Sequence, residues 1–363
     1  MVSLSVFFTI VAVIYACIIT VVYIKNRRQN HELLDIIAHT SPRNTPILES
    51  DQEREASYLE KANEAMQLSQ NFQKFVPRQF VEHFAKHGSS ATLELGHADE
   101  DEVAILFCDI RGFTGLSERL KPQELMRFLN SYFLRMNDPI HQNRGFIDKF
   151  IGDAIMALFD HPGGSNQDKA RDALKAAIDL RKALEMYNSH RDNCEYVPIN
   201  MGIGIHYGPV IIGTVGSDDR MDTTVIGDSV NIAYRLESLT PKYNADIIVS
   251  AQLLETVGAD YPIKTRLLDW VRVKGRRKAI EVYEVLEHLS EQEQRERLAV
   301  QTQIAAGLAC RIRQEWDEAL AHFMKAQEIS PNDMLPKHHI DVCLQYRGTK
   351  LEKDWDGALN INR

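Results

Sequence analysis

Apolar residues change their spacing several times along this chain. Val103 to Cys108 is an unbroken apolar run, the mark of a strand buried on both faces. From Pro122 to His141 the period lengthens: Leu125, Phe128, Leu129, Tyr132 and Met136 recur at three and four, which predicts a helix. The stretch "GFIDKFIGDAIMALF" reads as a hairpin turning at Gly152-Asp153. Lys169 to Tyr187 is a second helix, and Ile199 to Thr214 is expected to be a second hairpin around Gly208-Pro209. A strand to Ile226 leads into a helix from about Asp228 to Leu239, with later strands near 246–250, 264–274 and 280–286. This order predicts an α+β domain with helices on one sheet face.

The flanks differ. Residues from Leu4 to Ile24 carry no charge, and Lys25, Arg27 and Arg28 follow directly. About 20 apolar residues cross a bilayer, and positive charge marks the cytoplasmic side. The expectation is therefore a single-pass protein of the inner or plasma membrane with its catalytic part in the cytoplasm; a buried core helix is the alternative. Residues 25 to 47 read as a linker. From about 48 to 86 the pattern is helical, a stripe that pairs with its copy in a second chain or lies on its own domain. His83 and His87 stand one turn apart with no third ligand in view, so a solvated helix face is preferred to a metal site. The tail from 291 is helical. Its Gly307, Trp316, Ala319, Phe323, Ala326 and Pro331 match the positions of one tetratricopeptide repeat, a helix pair that needs a second surface to cover it. The expected divisions are 1–24 (transmembrane anchor), 25–99 (linker and signalling helix), 100–288 (catalytic domain) and 289–363 (helical tail).

Composition narrows the function. With 363 residues and a net charge of −9, the chain lacks the basic surface that nucleic-acid binding needs. Its five cysteines lie far apart without zinc spacing, which fits free thiols in a reducing compartment. It has no Walker loop, and the glycines of "GIGIHYGP" have the wrong interval for a dinucleotide fingerprint.

Two carboxylates carry the chemistry. Asp109 ends the strand at 103–108, and Asp153 sits in the turn of the next hairpin. Neighbouring strands lie about 4.8 Å apart, so two strand-end carboxylates can share a pair of hard cations. Gly112-Phe113-Thr114 would then turn backbone N–H groups towards phosphate.

Three stretches, "FCDIRGFT", "DKFIGDAIMALF" and "TTVIGDSVNIAYRLE", strongly resemble the class III nucleotidyl cyclases, over roughly residues 72 to 288. The resemblance implies a ferredoxin-like antiparallel sheet with helices. It implies that Asp109 and Asp153, with the backbone of Ile110, hold two Mg²⁺ per site, Mn²⁺ being the alternative. Gly112, Phe113 and Thr114 correspond to the phosphate turn, and Lys149 and Thr224 to the residues that read the purine. Asn231 corresponds to the residue that positions ribose, and Arg235 to the one that stabilises charge on the transferring phosphate. Lys274 corresponds to the group on the terminal phosphates, with Arg276 and Arg277 as rivals. Asn231 and Arg235 are four apart and share a helix face.

Base choice follows from donors and acceptors. Lys149 can donate to the ring nitrogen of adenine, and Thr224 can accept from its amino group. Guanylyl members usually carry an acidic residue and a cysteine there, so ATP is favoured. The family builds its site between two copies of the domain, so one copy per chain implies a homodimer. The resulting expectation is a membrane-anchored adenylate cyclase, with a protein partner possible through the tail. A guanylate cyclase and a nucleotide-binding pseudocyclase or scaffold remain the alternatives.

Overall fold

The computed structural model describes residues 61–64, 66, 67, 77, 80, 96 and 98–361, apart from 162, 218, 274–277, 350 and 352–354. The chain divides into two compact units, Met1–Asn71 and Phe72–Arg363, and the architecture below belongs to the second. Most of the 48–86 helix, His83, His87, and Lys274, Arg276 and Arg277 lie outside the described residues. The expected single-pass membrane localisation is corrected. Among the described residues no helix is long and apolar enough to cross a membrane, and the apolar segment 4–24 that raised the expectation lies outside them.

The unit begins with β1 (Ala98–Ile110), a short helix α1 (Phe113–Ser117) and a long one, α2 (Pro122–Gln142). The hairpin β2 (Phe146–Ile151) and β3 (Ala154–Phe159) follows, then α3 (Asn166–Asn193) and β4 (Met201–Ser217). These four strands lie in the order β2-β3-β1-β4, all antiparallel. Strand, helix, hairpin, helix, strand in that spatial order is the split βαβ arrangement expected of a ferredoxin-like core.

Beyond β4 come β5 (Arg220–Ile226), α4 (Asp228–Ser238), α5 (Thr240–Tyr243), β6 (Ile247–Ser250) and α6 (Ala251–Val257). Strands β7 (Thr265–Val273) and β8 (Ile280–Val285) complete this part. The sheet continues β4-β6-β8-β7, and β5 pairs with the far half of β4. β6 runs parallel to β4 because the α4–α5 crossover returns the chain to the same end, so the expected antiparallel sheet is mixed.

Helices cover both faces of the sheet, not one. Ala104, Leu106, Cys108 and Ile110 of β1 pack with Phe128, Tyr132 and Met136 of α2 and Leu174, Ala177 and Leu180 of α3. Val103, Ile105 and Phe107, on the other face, pack with Val210, Val225 and Ala233 of α4. The unbroken apolar run of β1 is the sequence trace of this double burial.

The expected hairpin at Gly208-Pro209 does not form; β4 is one 17-residue strand. Its free edge pairs with β6 at Ile203–Ile205 and with β5 at Ile211–Ser217, and Pro209 falls between. Pro209 O accepts a hydrogen bond from Ser229 Oγ at 2.8 Å. The nitrogen of a strand residue faces the same side as its oxygen, so the missing N–H costs no bond to β1. The glycines of "GIGIHYGP" form a docking track for α4. A Cβ on Gly204 would lie 2.1 Å from the Glu237 nitrogen and 2.5 Å from Ala233 O.

The tail forms α7 (Glu291–Ala299), α8 (Gln301–Ile312), α9 (Trp316–Ile329), α10 (Met334–Tyr346) and β9 (Leu359–Ile361). Val300, Ile304, Leu308, Phe323 and Leu335 share one core with Ile232, Leu236 and Tyr243 of α4 and α5. A Cβ on Gly307 would meet the Phe323 ring at 2.5 Å, so that glycine lets α8 and α9 close on each other. β9 adds to β7 in parallel, with Leu359 opposite Val271. Two buried ion clusters join the tail to the sheet. Arg266 bridges Glu284 and Asp333, with Arg297 also on Glu284. Arg311 pairs with Asp269.

Candidate active site

The end of β1 delivers Asp109 beside the β2–β3 turn, because Cys108 pairs with Ile155. Gly152, at φ 66°, makes that turn, and Asp153 follows it. Both carboxylates converge on one donor: Ile110 N–H donates to Asp109 Oδ1 at 3.0 Å and to Asp153 Oδ2 at 3.2 Å. Burial, and the neighbouring Asp109 carboxyl, push Asp153 up to about 7. Two acidic groups packed this closely repel each other, and a divalent cation would relieve them. Hard carboxylate oxygens are the donors such a cation takes, so the residues fit the metal centre that the motifs imply.

Sequence reasoning missed a third carboxyl here. Glu237, buried on α4, is pushed up to about 8 by its burial and by the charge of Asp109. It stands two residues after Arg235 with no motif of its own, and only the close approach of α4 to β4 brings it in. Arg111, immediately after the pair, turns away to Asp246 at 3.3 Å. Asp246 also takes Arg181 at 2.9 Å and His288 at 3.2 Å, so this cluster anchors the turn after β1. Gly112 then adopts φ 70°, and α1 begins. The first helical bond recorded there runs from Leu116 N–H to Gly112 O, so Phe113 and Thr114 present first-turn N–H groups.

A second constellation lies on β2 and β5. Lys149 Nζ donates to Thr224 Oγ1 at 2.8 Å, although the two are 75 residues apart. Asp222 Oδ2 is 3.6 Å from the same ammonium and Asp148 Oδ2 is 3.7 Å from it. Neither acid was singled out from the sequence. Asn231 is exposed and Arg235 half-buried on α4, one turn apart.

The chain therefore joins Asp109 to Asp153 and Lys149 to Thr224. Asn231 and Arg235 stand together on α4, the helix that follows β5 in the chain.

Residues 95–287 match the family described as adenylate and guanylate cyclase catalytic domain. An adenylate cyclase of Anabaena cylindrica is 42% identical over 243 residues, covering 63% of this chain and 47% of the relative. The terminal-differentiation-specific adenylate cyclase of Dictyostelium discoideum is 33% identical over 305 residues, covering 83% of this chain and 14% of that protein. The chain thus spans less than half the length of these curated relatives. Among solved structures, a bacterial light-regulated adenylyl cyclase is similar with a TM-score of 0.55 and 27% identity, over 68% of each chain.

Proposed function

Because this chain belongs to the adenylate and guanylate cyclase catalytic domain family, we propose that it converts ATP to 3′,5′-cyclic AMP and pyrophosphate. The observation that carries this reading is the convergence of Asp109 and Asp153 on the Ile110 N–H, at the end of a strand that leads into the Gly112 turn. The Lys149–Thr224 pair supports adenine as the base: the ammonium donates to the ring nitrogen, and the hydroxyl oxygen accepts from the amino group.

The reaction is in-line attack by the ribose 3′-oxygen on the α-phosphorus, with pyrophosphate leaving. Asp109 and Asp153, with the backbone of Ile110, would hold two divalent cations, magnesium or manganese. When bound, these supply activation of the attacking oxygen and neutralisation of phosphate charge. Gly112, Phe113 and Thr114 cradle phosphate with backbone N–H groups. Asn231 orients the ribose. Arg235 offers its planar fork to charge on the transferring phosphate. Lys274, with Arg276 and Arg277 as rivals, is assigned to the terminal phosphates.

We assign these groups to two half-sites, so that Asp109 and Asp153 of one copy work with Lys149, Thr224, Asn231 and Arg235 of another. The exposed cross-strand pair Ile211 and Ile226 supports a second copy against this part of β4 and β5. Residues 25–99 are read as linker and signalling helix, 100–288 as the catalytic domain and 289–363 as a tetratricopeptide-like tail. The exposed Met324, Met334 and Leu344 of that tail would meet a protein partner.

The test is cyclic nucleotide production by purified protein with ATP or GTP and magnesium or manganese. ATP is the expected substrate, and a preference for GTP would overturn the base assignment. Asp109→Ala and Arg235→Ala should each be inactive yet rescue each other when mixed. Random pairing should return about a quarter of parental activity, because one site of each mixed dimer is intact. Confirmed mixed dimers without recovery would mean that each chain builds its own site.

A further inference from the structure

The geometry points to Asp148 as the residue that fixes base selection, by holding the Thr224 hydroxyl hydrogen so that Thr224 meets the purine as an acceptor. This inference rests on the base-reading role proposed above for Lys149 and Thr224.

Strand β2 does not pair evenly with β3. Ile147 lies opposite Ala157 and Lys149 opposite Met156, so Asp148 is an inserted bulge residue. In a regular strand, neighbours point to opposite faces. A bulge re-aims a side chain and is common beside functional sites. Here it turns Asp148 towards the ammonium of its own neighbour, at 3.7 Å, the same ammonium that bonds Thr224.

The Asp148 side chain has no exposed area (0%). Neither of its oxygens has a hydrogen-bond partner among the described residues, a costly state for a buried carboxylate. The groups acting on it are Lys149, Asp222 and Thr224. Asp222 is an acid and cannot serve a carboxylate. Lys149 stands 3.7 Å from Asp148 Oδ2 and directs one of its three N–H donors to Thr224 Oγ1 at 2.8 Å. That bond occupies one lone pair of the hydroxyl and leaves its hydrogen for Asp148. Burial raises the Asp148 carboxyl only to about 6, so it is mainly an acceptor at neutral pH.

A hydroxyl has one hydrogen and two lone pairs. With the hydrogen on Asp148 and one lone pair on Lys149, Thr224 retains one lone pair for the base. The amino group of adenine satisfies it. The 6-oxo group of guanine meets the Thr224 oxygen and finds no donor there, a mismatch that a site built on hydrogen bonds rejects. Without Asp148 the hydroxyl can rotate and donate to that 6-oxo group. Threonine alone is ambivalent between the two bases, and the acid behind it removes the ambivalence.

The experiment measures kcat/KM for ATP and for GTP in the full-length protein, comparing Asp148→Leu, Asp148→Asn, Thr224→Ala and the double variants. Asp148→Leu, which has no acceptor, should lower the ATP-to-GTP ratio at least about tenfold. Asp148→Asn, which keeps one carbonyl acceptor, should lower it less. In the Thr224→Ala background neither change should move the ratio further, because the two act through one hydroxyl. General damage would lower both rates in either background without this dependence. Should Asp148→Leu fail to fold by circular dichroism, Asp148→Asn carries the same comparison. If Thr224→Ala collapses the ratio but the Asp148 variants leave it unchanged, the inference is overturned while the base-reading assignment stands. If neither position affects the ratio, both are overturned.

Discussion

Asp153 and Asp269 are both aspartates withdrawn from solvent at the edges of one sheet, and their surroundings act on them in opposite ways. Asp269 is fully buried (0%). Burial pushes its carboxyl up, but the Arg311 guanidinium, the Tyr243 hydroxyl at 2.7 Å and neighbouring donors outweigh it and hold the group at about 2. Trp270 N–H donates as well, at 2.7 Å. Asp153 is met by backbone N–H groups, the shared one of Ile110 among them, and by no cation, and it lies against another acid, so burial and Asp109 together push it to about 7. The first carboxylate is complete and binds the tail to the sheet. The second is left wanting positive charge, which suits the cation centre proposed for it. Asp269, His338 and His339 lie close enough to suggest a metal site. Yet Arg311 already neutralises the acid, and His339 Nε2 is engaged with Leu268 O at 2.9 Å. Proximity of ligand-type residues is thus a weaker sign of a metal than unbalanced charge is.

Neutralising Asp153 and stripping Asp269 of its cation should shift stability in opposite directions. The largest effect is expected from Asp153→Asn. Cation-assisted charge stabilisation is worth several kcal/mol, so cyclic AMP formation should fall at least about a thousandfold. The metal-free protein should nevertheless melt at a higher temperature at pH 8, because a neutral amide replaces a repelled carboxylate. Scanning calorimetry in a chelating buffer checks this, and a lower melting temperature would contradict the charge argument.

Next in size is Arg311→Met. Leaving Asp269 buried without its cation should cost about 3–5 kcal/mol in urea unfolding. Arg311→Met combined with Asp269→Leu should recover most of that loss, since an apolar pair replaces a buried ion pair. A double variant as unstable as the single one would mean that packing, not charge, is responsible.

The smallest effect is the response to acid. Burial lowers His338 to about 4 and His339 to about 3. Both folded values lie below the unfolded value of 6.5, so their contribution is complete above pH 6.5 and is lost as pH falls towards 3. Asp269, also depressed, adds a loss between about pH 4 and 2. Asp153 runs the other way, since acid relieves its repulsion. The three tryptophans, Trp270, Trp316 and Trp355, all lie on β7 or in the tail. Their emission should therefore report loosening of the tail before far-ultraviolet circular dichroism reports loss of the sheet. Coincident transitions would show that the two regions do not titrate separately.

The elements of the core were legible because each carries a local signal, whereas their ferredoxin-like arrangement was expected only from the family resemblance. The period of α2, the unbroken run of β1 and the Gly152-Asp153 turn owe nothing to distant residues. The Gly208-Pro209 hairpin was misread because turn-forming residues also serve other ends. Gly204 and Gly208 clear space for α4 and Ser229, and Pro209 falls where its edge of β4 is unpaired. β9 was missed because three residues give too short a pattern to separate from the end of a tail.

The sequence by itself determined which residues end strands, open turns and share helix faces, and so singled out Asp109 and Asp153; the resemblance to the class III nucleotidyl cyclases added Lys149, Thr224, Asn231 and Arg235 as candidates. Strand ends, turns and helix faces are properties of neighbours a few positions apart, set by backbone geometry. Tertiary structure decided the rest: that Lys149 meets Thr224 across 75 residues, that a bulge brings Asp148 behind them, that Glu237 approaches the carboxylate pair, and that the tail shares the core of α4. Charge and hydrogen-bond balance depend on what lies within a few ångströms in space, and that distance is set only when the sheet closes.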